Sequence, residues 1–255
     1  MTGMLELRNV VRTFGQLRAV DGVSFSVQAN TITGLIGPNG AGKTTTFGLI
    51  AGSMNPDAGE ILFEGQRIDG QTPDRIFHRG LGRTFQIPRP FPEMTVLENV
   101  MLAPIAQSGE RFWNNWFRPG LVKAEEKRAR ERAMEVLGFT VLAAKANDLA
   151  GQLSGGQQKL LELARVLMIE PRLILLDEPA AGVNPALLET LIEKILALHA
   201  RGITFLIIEH NMDMVMSICR PIVVMAQGKV IFEGEPDGVR RDPKVLDAYL
   251  GDMPE

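Results

Sequence analysis

Short, continuously apolar runs alternate with helix-patterned segments along most of the chain. Residues 173–176 and 203–208 are almost entirely apolar, which is typical of strands buried on both faces of a sheet. Between them, residues 185–199 carry apolar side chains at helical spacing, so one face of a helix turns towards a core. Strands that alternate with helices in this way predict an α/β fold with a mainly parallel core sheet, covered on both faces.

The N-terminal part and the middle of the chain depart from this alternation. Within residues 22–27, Val23, Phe25 and Val27 share one face, which predicts a half-buried strand. Residues 88–153 contain three prolines near their start and then a charged helical stretch. We therefore expect a mainly helical insertion there, after which strands and helices alternate again.

Composition narrows the class of protein. The chain has 255 residues, of which 45% are hydrophobic and 22% charged, so disordered, collagen-like and disulfide-rich classes are excluded. Its single cysteine, Cys219, precludes an intrachain disulfide and fits a reducing compartment. The net charge of -3 leads us to expect no nucleic acid partner. The sequence shows no signal peptide and no apolar run of about 18 residues, so we expect contact with a membrane only through partners.

A glycine-rich turn between a predicted strand and a predicted helix carries the first chemical signal. Residues 37–44 read GPNGAGKT and match the pattern G-x-x-x-x-G-K-[ST] in full. Glycines let backbone N–H groups close on phosphate oxygens, Lys43 adds a charge for the β- and γ-phosphates, and Thr44 offers a hydroxyl to Mg²⁺. An ordinary turn is the alternative, but the strand–turn–helix context favours nucleotide binding. The predicted nucleotide-binding residues are Asn39, Gly40, Ala41, Gly42, Lys43, Thr44 and Thr45.

Two carboxylates end the apolar run at residues 173–176. A buried parallel strand delivers its C-terminal residues to the ligand-binding edge of the sheet. Asp177 is therefore expected to hold Mg²⁺, and Glu178 to lie beside the γ-phosphate and orient the attacking water. The alternative is an acidic pair that caps a helix, since Pro179 follows. The phosphate loop on a neighbouring strand favours the catalytic role.

The sequence LSGGQ at residues 153–157 opens a predicted helix and indicates a family. Ser154 can cap the helix and donate to phosphate, and the glycines permit close approach of the backbone. An ordinary serine-capped helix is the alternative. With this motif the chain resembles the ATP-binding subunits of ABC transporters over nearly its whole length. The resemblance implies that four residues act on a partner chain's ATP: Ser154, Gly155, Gly156 and Gln157.

The resemblance also implies a catalytic set and a metal site. Gln86 matches the glutamine that touches Mg²⁺ and water, and His210 matches the histidine that contacts the γ-phosphate. The implied catalytic residues are therefore Glu178, His210 and Gln86. The implied Mg²⁺ ligands are Thr44, Gln86 and Asp177, and the implied cofactors are ATP and Mg²⁺.

Three further assignments follow from the same resemblance. Phe14 matches the aromatic residue that stacks on adenine, although a plain sheet residue is the alternative. Val20 is expected to pack near the ribose. Asn184 stands where many members have aspartate, in the loop that links the two ATPase halves. The substitution leaves open how this loop couples the two sites.

The family's architecture is expected here as well: a P-loop NTPase fold of the ABC type in a single domain, residues 1–255. Residues 1–87 and 154–255 are expected to form the core with an N-terminal antiparallel β subdomain, and residues 88–153 an inserted α-helical subdomain. In the family, each phosphate loop faces the signature helix of a second chain. The implied partner is therefore a second ABC ATPase chain, identical or homologous.

Three segments are similar to the branched-chain, or hydrophobic, amino acid uptake type: residues 178–185, 208–216 and 242–251. This type implies transmembrane permease subunits, indirectly a periplasmic substrate-binding protein, and a peripheral place at the cytoplasmic face of the inner membrane. Related urea, amide or lipopolysaccharide transporters are alternatives. A soluble ABC ATPase that does not transport is less favoured, because the chain lacks a basic surface and a coiled-coil insertion.

Residues 88–118 resemble the start of the helical subdomain, where a membrane subunit docks. Trp113 and Trp116 fall in this segment. They are expected either to contact a membrane subunit or the lipid interface, or to form the small core of the subdomain itself.

Overall fold

The computed structural model describes residues 3–84, 90–102 and 119–250. The strands are β1 Leu5–Phe14, β2 Leu17–Val27, β3 Ile32–Ile36, β4 Ala58–Phe63, β5 Gln66–Arg67, β6 Leu81–Arg83, β7 Leu173–Asp177, β8 Thr204–Ile208, β9 Ile222–Ala226 and β10 Lys229–Gly234. The described helices are α1 Lys43–Ile50, α2 Pro73–His78, α3 Val96–Met101, α4 Pro119–Phe139, α5 Gly155–Leu167, α6 Pro185–His199, α7 Met212–Ile218, α8 Pro236–Val239 and α9 Pro243–Leu250.

The first sheet is antiparallel, with strand order β2-β1-β4-β5. β1 pairs with β2 so that Leu7 lies opposite Phe25. Along β2, Val23, Phe25 and Val27 are buried, while the residues between them are more exposed. This alternation is the one that the sequence predicts for a strand with one face on the core, and the N-terminal antiparallel β subdomain is confirmed.

The second sheet has six strands in the order β10-β9-β3-β8-β7-β6. All neighbouring pairs are parallel except β10 with β9, which are antiparallel and join at Gln227 and Gly228. Every residue of β3, β7 and β8 is buried, which explains their apolar sequences. Parallel strands send their carboxyl ends to one edge, so the loops after β3, β7 and β8 gather there. The predicted α/β fold with a mainly parallel core sheet is thus confirmed.

Helices α3, α4 and α5 form a core of their own. α3 begins with a capping box, in which Thr95 Oγ1 accepts from Glu98 N and Glu98 Oε2 accepts from Thr95 N. Buried Asn99 holds the preceding loop, because its side chain bonds both the N–H and the carbonyl of Phe91. The apolar faces of α3, α4 and α5 pack together. The buried residues of this core include Val96, Val100, Ala133, Val136, Leu137, Leu160 and Leu161.

The chain divides into two compact units. The first comprises Met1–Gln86, Arg172–Ala181 and Ile195–Glu255, and the second Ile87–Pro171 and Gly182–Lys194. α5 groups with the helical unit, because its apolar face packs against α3 and α4, whereas the sequence-based boundary assigned residue 154 onward to the core. The organisation of residues 1–255 as a single domain stays a prediction.

Candidate active site

The phosphate loop leaves the end of β3 and leads into α1, as the sequence predicts. Gly37 has φ 147° and Gly42 has φ 97°, both in the region that side chains disfavour. A Cβ on Gly37 would lie 2.0 Å from the carbonyl oxygen of Met225, and one on Gly42 would lie 2.2 Å from that of Ala19. Backbone on both sides thus closes around the loop, and no residue with a side chain fits either position.

Lys43 fixes the shape of the loop from within. The residue is 6% exposed, and its Nζ donates to the carbonyl oxygens of Gly37 at 2.7 Å and Pro38 at 2.9 Å. As the first residue of α1, it also stands at the positive end of that helix. The ammonium group is therefore held beside the N-terminal N–H groups that a phosphate would meet.

A cavity of about 540 Å³ in the first unit brings the predicted residues together. The residues that line it are Phe14, Leu17, Arg18, Ala19, Asn39, Gly40, Ala41, Gly42, Lys43, Thr44, Thr45, Glu178, His210 and Gln227. All seven predicted residues of the phosphate loop are among them, and so are two of the three predicted catalytic residues. A nucleoside triphosphate needs this combination of N–H donors, a cation and a general base or water-orienting group.

The side of the cavity formed by β1 and β2 differs in part from expectation. Phe14 lines it and is 45% exposed, with the guanidinium carbon of Arg12 5.0 Å from the ring centroid. Val20 was predicted near the ribose, but its side chain is fully buried in the core and does not line the cavity. Val20 is buried although strict alternation with Val23, Phe25 and Val27 would place it on the other face, because β1 and β2 pair with register shifts; Ala19 and Arg18 line the cavity instead.

Four lining residues were missed by sequence reasoning: Leu17, Arg18, Ala19 and Gln227. The first three begin strand β2, directly after the turn that follows Phe14, and Gln227 belongs to the turn between β9 and β10. The glycine-containing turns next to them were visible in the sequence, but none of the four residue types signals nucleotide binding.

Asp177 ends β7 with a side chain that is only 2% exposed. Its Oδ2 lies 3.1 Å from Nη2 of Arg83, the last residue of the neighbouring strand β6. The pair was not anticipated, because the two residues are 94 positions apart in sequence. Asp177 does not line the cavity itself; it stands at the strand end directly before Glu178, which does.

Glu178 and His210 meet at the carboxyl edge of the sheet. β7 and β8 are parallel with Asp177 opposite Ile208, so the residues after each strand come side by side. Glu178 N donates to Ile208 O at 2.9 Å, and Glu178 has φ 48°, a conformation uncommon for a residue with a side chain. His210 Nε2 lies 3.2 Å from Glu178 Oε1. The predicted catalytic pair is thus in direct contact.

In the second unit, the signature residues begin α5 in a capping box. Ser154 Oγ accepts from Gln157 N at 3.4 Å, and Gln157 Oε1 accepts from Ser154 N at 3.0 Å. Ser154 and Gly155 are exposed, while Gly156 is buried. A Cβ on Gly156 would lie 2.3 Å from Cδ2 of Leu187, so the glycine allows α5 to approach the start of α6.

Asn184 begins α6. Its Oδ1 accepts from Leu187 N at 2.9 Å, which satisfies one of the free N–H groups of the first turn. Aspartate would accept the same bond, so the asparagine preserves the local structure that the family's usual residue would form.

Three of the residues singled out in the sequence are not among the described ones. Gln86, with the Mg²⁺ role assigned to it, and the aromatic pair Trp113 and Trp116 lie outside the described residues. Within the described ranges, no cluster of three or more His, Cys, Asp or Glu side chains is arranged for a metal. The same ranges contain no helix long and apolar enough to cross a membrane.

Two groups with raised pKa values lie near β3 and the loop that follows it. Burial raises the pKa of the Tyr249 phenol, and a hydrogen bond with the backbone of Gly37 partly offsets this rise. The C-terminal helix α9 thereby contacts the first residue of the loop. Behind β3, burial raises the pKa of the Cys219 thiol to about 12, with the charge of Glu209 adding to it. Cys219 is therefore an unreactive core residue. It packs so close to Gly34 that a Cβ added there would contact it.

A phosphate loop on a mainly parallel sheet, with a glutamate and a histidine at the same cavity, defines a P-loop nucleotide-binding protein. The family model described as ABC transporter matches residues 20–181. The chain therefore belongs to the ABC transporter family. A second model, described as Branched-chain amino acid ATP-binding cassette transporter, matches residues 229–254, the segment that contains β10, α8 and α9.

Curated relatives match the whole chain. It is 42% identical over 253 residues to the probable branched-chain amino acid transport ATP-binding protein LivG of Methanocaldococcus jannaschii, with 98% of both chains covered. It is 41% identical over 252 residues to the high-affinity branched-chain amino acid transport ATP-binding protein BraF of Pseudomonas aeruginosa, again with 98% of both covered.

Solved structures also match this fold. A nucleotide-free ATP-binding cassette from an ABC transporter superposes with a TM-score of 0.85 at 40% identity, with 100% of both chains covered. The ADP conformation of an ATP-binding cassette of an ABC transporter gives 0.85 at 41% identity, covering 99% of this chain and 100% of that one. A dimeric post-hydrolysis cassette bound to ADP and Pi gives 0.75 at 26% identity, with 91% and 99% covered.

Proposed function

We propose that this chain is the ATP-binding and ATP-hydrolysing subunit that powers an ABC importer of branched-chain or other hydrophobic amino acids. One observation carries the ATPase part: the phosphate loop, Glu178 and His210 line a single cavity of about 540 Å³. A loop that only bound nucleotide would not need a carboxylate and a histidine in contact at the same cavity.

Each group has a part in hydrolysis. The N–H groups at the start of α1 and the ammonium of Lys43 hold the β- and γ-phosphates. The phosphates carry more negative charge than the two carbonyl oxygens that Lys43 contacts, so the ammonium binds the phosphates in preference to them. Glu178 orients the water for in-line attack on the γ-phosphorus and accepts its proton. His210 donates towards a γ-phosphate oxygen and, through its 3.2 Å contact, keeps Glu178 in place. Phe14 offers an exposed ring face to the adenine.

The residues present fit Mg²⁺. Thr44 is an exposed residue that lines the cavity, and Asp177 ends β7 directly before Glu178, so the donors are hard oxygen atoms. Mg²⁺ keeps several waters and uses few protein ligands when phosphates are present, so a cluster of side chains is not required. Thr44 and Asp177, with Gln86 as the third assigned ligand, would hold the ion. When bound, it supplies positive charge that offsets the charge developing on the phosphates.

We further propose that a second ATPase chain completes the site. The signature residues leave Ser154 and Gly155 exposed at the start of α5, where an N-terminus can meet the γ-phosphate of another chain. The relative solved as a dimer supports this arrangement. Transmembrane permease subunits, a periplasmic substrate-binding protein and a peripheral position on the cytoplasmic face of the inner membrane complete the proposed assembly.

The transported substrate is inferred from relatives, since it does not touch this chain. The two curated relatives carry branched-chain amino acid transport in their names, and the C-terminal segment matches the model of that type. Urea, amides and lipopolysaccharide are the competing substrates that the test must separate.

The experiment reconstitutes the chain with the permease subunits and binding protein that co-purify with it, in proteoliposomes loaded with MgATP. We expect uptake of labelled leucine, isoleucine or valine and ATP hydrolysis that the loaded binding protein stimulates. Glu178→Gln should abolish both, whereas Glu126→Gln, the same change at an exposed position on α4, should leave both unchanged. Uptake of urea or an amide instead would refute the amino acid assignment alone, and a protein without ATPase activity would refute the whole proposal.

A further inference from the structure

A buried carboxylate stands between the two loops that carry the catalytic pair. Glu209 follows β8 directly and is 3% exposed. Its Oε1 accepts from Ala180 N at 2.5 Å. Its Oε2 accepts from His210 N at 2.8 Å and from Asn211 N at 3.0 Å. These partners are backbone N–H groups, so the main chain of the two loops compensates the charge.

The bonds of Glu209 connect the positions where the catalytic side chains are attached. Ala180 lies two residues beyond Glu178, and its N–H points to the same carboxylate as the N–H of His210. Asn211 also caps α7, because its Oδ1 accepts from Met214 N at 3.0 Å. One side chain thus joins the loop after β7 to the loop after β8 and to the start of α7.

The conformation at Glu178 needs such support. Its φ of 48° is sparsely populated by residues with side chains and persists only where the surroundings hold it. On one side, its own N–H is bound to Ile208 O. On the other side, the bond from Ala180 N to Glu209 fixes the chain as it leaves the strand.

A carboxylate suits this position better than either close substitute. It offers acceptor sites on both oxygens, one for each loop. Glutamine has a single acceptor oxygen, and its NH₂ group would face a backbone N–H, so one loop would lose its partner. Aspartate keeps the charge but is shorter by one methylene, so it cannot reach both loops.

We propose that Glu209 is a positioning residue for ATP hydrolysis: it sets the contact of 3.2 Å between Glu178 and His210. The proposal rests on the proposed function and gives Glu209 no contact with the nucleotide. Because Lys43 and the glycines shape the phosphate loop independently, the loss of Glu209 should act on the chemical step and leave nucleotide binding in place.

The test compares Glu209→Gln and Glu209→Asp with the wild-type chain and with Glu126→Gln as matched control. In the reconstituted transporter, we expect kcat of Glu209→Gln to fall about 10- to 100-fold, the loss typical of a catalytic group misplaced by about 1 Å. The Kd for MgATP should stay within about twofold. Glu209→Asp should retain an intermediate kcat, and Glu126→Gln should match the wild type.

A second readout does not depend on activity. The chain has three histidines, His78, His199 and His210, so their Cε1–H resonances can be assigned by single substitutions. In Glu209→Gln, the His210 resonance should shift, while those of His78 and His199 stay in place. In a His210→Ala background, Glu209→Gln should lower kcat by much less than in the wild type, since the residue acts through the pair.

Unchanged kcat in Glu209→Gln, an unmoved His210 resonance, or an undiminished effect in the His210→Ala background would overturn the proposal. If Glu209→Gln does not fold, Glu209→Asp decides: a reduced kcat with a shifted His210 resonance supports the proposal, and wild-type values overturn it. A wild-type chain without ATPase activity would refute the proposed function instead, so the two failures are distinguishable.

Discussion

The phosphate loop and the signature helix both present glycines at a helix N-terminus, yet they are held in opposite ways. Around the phosphate loop, backbone carbonyls lie close to Gly37 and Gly42, and both glycines have positive φ. In the signature helix, Gly156 is helical, and the atoms close to it belong to the side chains of Leu187 and Val183. In the proposed function, the first arrangement encloses a nucleotide within one chain. The second caps itself and leaves Ser154 exposed, where the proposal places a partner chain.

The strongest test of this contrast is Gly37→Ala, with Gly40→Ala as control. Both positions have positive φ, but only at Gly37 does a Cβ meet backbone, at 2.0 Å from Met225 O, whereas nothing lies within 4 Å at Gly40. We expect Gly37→Ala to abolish MgATP binding and destabilise by about 3 kcal/mol or more, and Gly40→Ala to cost about 1 kcal/mol. Urea unfolding and nucleotide titration measure both. Equal costs would mean that strain alone, not backbone packing, selects the glycines.

Gly156→Ala should have the next largest effect. Its Cβ would lie 2.3 Å from Leu187 Cδ2, the flexible end of a side chain, so we expect a loss of about 1–3 kcal/mol rather than unfolding. MgATP binding to the single chain should be unaffected, because the proposed function has this residue act on a partner's nucleotide. Gly155→Ala is the control and should stabilise slightly, since its nearest contact is at 3.9 Å. Weakened nucleotide binding in the isolated Gly156→Ala chain would contradict the contrast.

Removing the helix cap at Asn184 should cost less. Asn184→Ala deletes the acceptor for Leu187 N, for an expected loss of about 1 kcal/mol in the free energy of unfolding. Asn184→Asp keeps an acceptor and should lie within a few tenths of a kcal/mol of wild type. Chemical denaturation of the three proteins decides this. An aspartate variant as unstable as the alanine variant would show that the cap is not what the residue contributes.

The smallest expected effect is that of Tyr249→Phe, which removes the phenol oxygen that faces the backbone of Gly37 and keeps the ring. We expect a loss of about 0.5–1.5 kcal/mol and a Kd for MgATP raised by up to about 10-fold, because a support of the phosphate loop is lost. Isothermal titration measures the affinity. An unaltered affinity would show that α9 does not support the nucleotide site.

The sequence predicted what depends on local pattern. The buried strands, the phosphate loop and the acidic end of β7 follow from apolar runs and short motifs, and the structure has them at the expected residues. The features that it did not predict depend on which face of a strand a residue occupies and on contacts between residues far apart in the sequence. β1 and β2 pair with register shifts, and a shift of one residue exchanges the inner and outer faces, so Val20 could not be placed reliably.

Contacts across long sequence separations were equally beyond the sequence. No local signal pairs Arg83 with Asp177, or Glu209 with Ala180. The sequence also did not predict that α5 groups with the helical unit. The apolar face of an amphipathic helix shows that the helix packs against another element, but not against which one.

The two carbonyl bonds of Lys43 have a kinetic consequence. A loop already held in shape by its own lysine does not have to order itself around the incoming phosphates. When the nucleotide binds, phosphate oxygens replace the two carbonyl oxygens as acceptors for Lys43. Nucleotide capture should then be a single bimolecular step, with an observed rate that rises in proportion to MgATP concentration and shows no plateau from a slow prior rearrangement.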